Sequence, residues 1–306
     1  ERHSSNSLGM VFAEMVKDNP QKYVSAISLF KEKKLRPIYF YNFIRGLKES
    51  LQNGGQFQWE PVVNLCHDLI FQENLVSTPA HQDEQDWRTV RQTIADFMGD
   101  ALGRGDNNPP VSLQEKVWDI ISELTEDPEP TPEAEKRDGE GGFDPMTLAI
   151  NTVRGEAMHA VINYGLWVAR NLEDKTVEVK IPQKVTEVLD KHLDKKQDPS
   201  LAIHSIYGWR APNISYLNKP WLEANKGKIF CKDSPEYLLA AWEGYLSNNV
   251  IKEVLQTLKP LYFEFVPFLG SFEKKGFRAN DVDQRFPQHV MVAYFSDAEN
   301  DDLVGF

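Results

Sequence analysis

The residues of this 306-residue chain whose types could do chemistry are few and scattered. Cys66 and His67 are adjacent, with His81 downstream, and they make the one local grouping of metal-ligand types. Neighbours on a helix point about 100° apart. No C-x-x-C or H-x-x-x-H accompanies them, so no metal site is assigned and Cys66 reads as a buried thiol beside a surface His67. Glu178, Val179 and Lys180 match the E-x-K half of a nuclease strand. The rest of that motif needs a preceding acid on a sheet, and the sequence offers no sheet. Asp281, Asp283 and Arg285 fit a charged loop before a helix as well as they fit a site. Gly227 and Lys228 lack the upstream glycine of a P-loop, and the glycines of 139–142 sit among acids that repel phosphate. Neither a dinucleotide fingerprint, nor a kinase set, nor a nucleophile elbow is present. No catalytic, cofactor-binding or metal residue is therefore assigned, and the expectation leans away from an enzyme. An NTPase or effector activity would lie outside the chain.

Protein recognition is the other chemistry the residues could serve. Trp167, Trp209, Trp221 and Trp242 lie after residue 160, in the company of Tyr207, Tyr216, Tyr237 and Tyr245. The plainest reading makes them wedges between packed helices, because large aromatic side chains mostly serve burial. The alternative is a partner groove, since Trp, Tyr and Arg are enriched at binding hot spots. On that alternative the partner-binding residues are Arg154, Trp167, Trp209, Arg210, Trp221, Trp242 and Tyr245, with Arg170 nearby. Arg154, inside an apolar helical pattern, also fits a structural ion pair.

The elements that must position these residues read as helices almost throughout. Leu8, Val11, Phe12, Met15 and Val16 form an i, i+3, i+4, i+7, i+8 stripe. Comparable stripes run through Val62, Leu65, Cys66 and Leu69, through Trp87, Val90, Ile94 and Phe97, and through Val117, Ile120, Ile121 and Leu124. Ser112 with Glu115 predicts a capping box. Asp144 and Pro145 predict the start of the longest helix, continuing to about Arg170, with Gly155 at a tight crossing. Further helices are expected at 182–193, 200–207, 219–223, 234–247 and 250–258, from Pro260 to near Gly270, and at 285–295. Val177–Ile181 alternates like a strand but has no partner and reads as an extended linker. This pattern predicts an all-α fold of stacked antiparallel helices, an irregular HEAT-, armadillo- or TPR-like α-solenoid. The expected division is an N-terminal helical array over 1–124, an acidic flexible loop over 125–143, and a C-terminal array over 144–306.

Charge supports that division. The formal net charge is −12, but 123–140 carries eight acids against two bases and 297–302 carries four acids and no base, which leaves the body near neutrality. An acidic balance argues against a dedicated nucleic-acid surface, although a local basic groove stays compatible with it. No run approaches the roughly 18–20 apolar residues of a membrane helix, and the start has no apolar signal region. Two distant cysteines fit reduced thiols and a cytoplasmic setting. The chain lacks an initiating Met, and the expectation is a fragment of a longer protein.

Three segments carry a family resemblance: Leu148–Ala157 with Tyr164–Trp167, Pro220–Phe230, and Glu236–Leu246. The first includes N-T-V-R-G-E-A at 151–157 and the last A-W-E-G-Y-L at 241–246. Together they resemble the helical C-terminal regions of large bacterial antiviral STAND NTPases of the Avs class and related multidomain antiphage defence ATPases, over about residues 144–295. The resemblance implies a cytoplasmic bacterial sensor domain that binds a phage or other partner protein through a helical concave face. It leaves oligomerisation of the full-length protein open and transfers no catalytic residue. A stand-alone helical scaffold or adaptor is the alternative, and a helical hydrolase or nuclease accessory a third.

Overall fold

The computed structural model describes residues 5–32, 35–71, 86–103, 106–140, 143–172, 181–271 and 279–298. Among them all regular structure is helical, so the fold is all-α. The expected linker at 177–181 falls, apart from Ile181, outside the described residues. The chain divides into two compact units, and each is discontinuous: residues 1–128 with 152–173, and residues 129–151 with 174–306.

The first unit begins with α1 (Ser5–Asp18), α2 (Pro20–Val24) and α3 (Ile27–Glu32), then α4 (Pro37–Gln52) and α5 (Trp59–Phe71). Pro20 and Pro37 occupy first-turn positions, where the missing N–H is no loss. α1 packs on α4 through Gly9, Ala13 and Val16, not through its whole apolar arc. Phe12 is half-buried, and Leu8, Val11 and Met15, expected inside, are exposed. Small residues let the two backbones approach, and the larger ones are turned out. α6 (Trp87–Gly103) and α7 (Gln114–Thr125) follow. Their buried faces are those the periodicity predicts. The capping box at Ser112 does not form, because Pro110 is extended and a 3-10 turn over Val111–Leu113 delays α7 to Gln114.

Two elements come next, α8 (Pro132–Glu140) and α9 (Pro145–Ala149), before the chain returns to the first unit as α10 (Val153–Arg170), which packs on α6 and α7. The predicted long helix from Asp144 is thus two helices. Asp144 does cap, accepting from the Thr147 amide at 2.9 Å and the Thr147 hydroxyl at 2.7 Å. However, the Asn151 amide bonds back to the Thr147 carbonyl, and Thr152 is extended, as capping residue types favour. The turn leaves Ile150 exposed.

The second unit contains α8, α9, α11 (Gln183–Leu193), α12 (Leu201–Trp209), α13 (Ala211–Ile229), α14 (Pro235–Leu246), α15 (Lys252–Phe265) and α16 (Ala279–Ala298). Helix α13 kinks at Asn218, whose side chain accepts from the Trp221 amide at 3.0 Å and caps the half that holds Pro220. Pro260 lies inside α15 instead of starting a helix. At the centre, α12 crosses α14 with backbones in contact. A Cβ on Gly208 would fall 1.9 Å from the Ala241 carbonyl oxygen, and one on Gly244 2.3 Å from that of Ser205. Backbone cannot yield as a flexible side chain can.

The acidic loop expected over 125–143 is corrected by α8. Glu135 is buried, and its carboxylate accepts from the Ser200 hydroxyl and, at 3.0 Å each, from the amides of Leu201 and Ala202. Such capping satisfies amides that the first turn of a helix leaves without partners. Two predictions follow from these contacts. Gly208→Ala destabilises by about 3 kcal/mol or more, at the upper end for an overpacked core, as read by urea unfolding. Glu135→Ala, which orphans three donors, lowers stability by about 1–3 kcal/mol in the same measurement; a loss below 0.5 would mark the loop as unpacked, on the scale of ordinary surface changes.

Candidate functional site

Most of the aromatic residues considered for partner binding form the interior. Trp242 is fully buried; it stacks on Phe265 at 4.7 Å and meets Phe230 and Tyr262 at 5.0 Å. Tyr245 lies in the same cluster, with burial pushing its hydroxyl up to about 12. In the first unit, Trp167 is buried against Tyr164 at 5.6 Å. Trp221 is nearly buried, and its indole N–H donates to Asp190 at 2.8 Å. These four are wedges and present no groove. Trp209 and Arg210 are half-buried; the Trp209 carbonyl accepts from Asn248 at 2.8 Å, and burial pushes the Arg210 guanidinium down to about 10. Arg154 donates to the Asp127 carbonyl at 2.8 Å, while the Asp127 carboxylate takes Arg91 at 2.9 Å. That arrangement ties the start of α10 to the residues just after α7. Arg170 donates to the Leu102 carbonyl near the end of α6.

Two kinds of feature stand out instead. The first is apolar. On α16, Val282, Phe286, His289 and Ala293 are buried, while Met291, Val292, Tyr294 and Phe295 on the opposite side are 51–62% exposed. This helix is apolar around its circumference over its second half, the pattern of an element covered on all sides. On α1, Leu8, Val11 and Met15 form an outward stripe at i, i+3, i+7.

The second is a polar cluster in the second unit, built by the turn after α11, the start of α12 and the segment before α14. His192 Nδ1 donates to Asp198 at 2.7 Å, both side chains being buried. The other oxygen of Asp198 accepts from the Ser200 amide at 3.2 Å. Lys195 Nζ lies 2.6 Å from Cys231 Sγ, 3.1 Å from the Ser234 hydroxyl and 4.5 Å from the centre of the Tyr237 ring. The Tyr237 hydroxyl donates to the Pro199 carbonyl at 2.7 Å, and its ring meets His204 edge-on at 4.9 Å. His204 donates to the Ile229 carbonyl at 2.7 Å, and burial pushes it down to about 4, so it is neutral at physiological pH. Nothing in the residue spacing announced this cluster. Lys195 and Cys231 are 36 positions apart, and only the fold joins them.

Among the described residues no group of three His, Cys, Asp or Glu could hold a metal ion, and His81, once considered beside Cys66, lies outside them. Cys66 itself is buried, its thiol pushed up to about 12 by desolvation. No described helix is long and apolar enough to cross a membrane. The crevice beside Trp242, edged by Lys232 and Glu264, is shallow, lined chiefly by apolar residues, and encloses no space for even a water-sized molecule. No family model, curated protein or solved structure matches the chain.

One titrating group makes a pH-dependent prediction. Burial, followed by the repulsion of Asp96, pushes the Glu156 carboxyl up to about 8 against an ordinary 4.5, with Lys48 opposing. The folded chain therefore keeps a proton that the unfolded chain releases, and stability contributed by this group falls as pH rises from about 4.5 to 8. Glu156→Gln abolishes that fall, so its melting temperature relative to wild type is expected to be higher at pH 8.5 than at pH 5. A difference independent of pH would contradict the assignment.

Proposed function

We propose that the chain is a non-catalytic protein-recognition region whose stacked helices form an irregular solenoid of the HEAT, armadillo or TPR kind, and that it is the sensor part of a bacterial antiphage defence protein. The observation that carries this reading is the two-sided apolar character of α16, which leaves Met291, Val292, Tyr294 and Phe295 uncovered. Contiguous exposed apolar surface of this kind marks docking sites for other proteins. The resemblance to antiviral STAND NTPase regions supports the setting. Its motif residues Arg154, Trp242 and Tyr245 are framework residues here, which suits a scaffold that keeps its interior and varies its docking surface. The occupant of the α16 face is a phage protein offering a complementary apolar surface.

The test compares the immobilised wild-type chain with the double variant Met291→Asp, Phe295→Asp. Both positions are exposed, so stability changes by only about 0.5 kcal/mol. The wild type retains a phage protein from infected bacterial lysate that is absent from uninfected lysate, and the variant releases it. Retention of no phage protein, or equal retention by both, overturns the reading.

A further inference from the structure

Cys231 and Lys195 are placed for covalent chemistry that is independent of protein recognition. Their reacting atoms are 2.6 Å apart, and the lysine is held by two other groups, the Ser234 hydroxyl and the Tyr237 ring face. A cation over an aromatic face is attracted by the ring quadrupole, so Nζ is oriented toward sulfur and not swept through solvent. Both residues are half-buried, which leaves a small reagent a way in. Cys66 provides the contrast, since its thiol is sealed in the first unit with its ionisation suppressed. Thiolate character and exposure together select which cysteine a peroxide oxidises.

We propose that Lys195 and Cys231 are a modification site at which a hydroperoxide drives formation of a reversible sulfur–nitrogen crosslink. Whether written as thiolate and ammonium or as thiol and amine, the pair holds three protons. Sulfur attacks the peroxide oxygen, an S–O bond forms, the O–O bond breaks, and the departing alkoxide takes a proton from the pair to leave as an alcohol. Cys231 is then a sulfenic acid beside a neutral Lys195 amine. The nitrogen attacks sulfur, the S–O bond breaks, and hydroxide leaves with an amine proton as water. Sulfur is oxidised by two electrons and the hydroperoxide is reduced by two, so the products are one sulfenamide, one alcohol and one water. Sulfenic acids condense with nearby nitrogen in this manner, and a thiol reverses it. The link would join the turn after α11 to the segment before α14.

The experiment exposes the native chain to tert-butyl hydroperoxide, blocks residual thiols with N-ethylmaleimide, and maps peptides by mass spectrometry. The expected product is a peptide pair joined through Lys195 and Cys231, lighter by about 2 Da than the sum of its parts and separated by dithiothreitol. Cys66 stays reduced until the chain is unfolded. Lys195→Arg keeps the cation but not the attacking amine, so it gives no link and accumulates sulfinic acid at Cys231. Wild-type Cys231 that is over-oxidised without a Lys195 link, or that stays unreactive, overturns the proposal. So does oxidation of Cys66 at an equal rate in the folded chain.

Discussion

Burial of α12 is the constraint on which the second unit depends. Every residue from Ala202 to Gly208 is buried, and the helix is only nine residues long, so nearly all of its length lies within the first or last turn. Amides of a first turn have no partners inside the helix, and a buried end left unsatisfied costs far more than one in water. Ser200 can cap one of them; its hydroxyl accepts from the Ile203 amide at 3.0 Å. The amides of Leu201 and Ala202 need another acceptor, and Glu135 supplies it from 65 or more positions away. That tie, together with the packing of α9 on α12 through buried Met146, Leu148 and Ala149, joins residues 129–151 to the second unit although α10, immediately after them, belongs to the first. The opposite end of α12 is constrained by backbone contact, with Gly208 against Ala241.

The same demand explains the cluster next to it. Asp198 is fixed by the Ser200 amide and by His192, and the turn between α11 and α12 is thereby set. Tyr237 reaches back to the Pro199 carbonyl, which places its ring beneath Lys195. Lys195 then meets Cys231 as a consequence of how the helix end is satisfied. Elements needed to cap α12 also bring a nucleophile and an amine together.

Much of the fold is legible in the residue order. Periodicity locates α5, α6 and α7 and their buried faces, whereas α14 is buried on every side from Ala240 to Leu246. It fails where more than one face is apolar. For α1 the arc from Leu8 to Val16 is wider than the strip a crossing helix covers, and the choice of Gly9, Ala13 and Val16 is made by close approach to α4. Proline misleads in α15, where helix continues through Pro260, and informs in α13, where Asn218 supplies the cap that Pro220 needs. Composition misleads at 125–142. No large apolar residue is there, so packing energy is indeed small, but two buried carboxylates, Asp127 and Glu135, anchor its described residues, and hydropathy does not register that.

Site residues divide along the same line. A tryptophan is identical in a core and in a hot spot, and what separates them is which face the neighbours occupy. Trp167 and Trp242 lie on faces already filled by Tyr164, Phe230 and Phe265, so they are wedges. Met291 and Phe295 lie on a face with nothing described against it, although their residue types are less suggestive. The acidic stretch at 123–140 sharpens the point. Asp127 and Glu135, two of its eight acids, are buried and hold Arg91 and the start of α12. A charge run read as solvated surface thus contains ties of both units, and the net charge of −12 overstates how much acid is free to act on a partner.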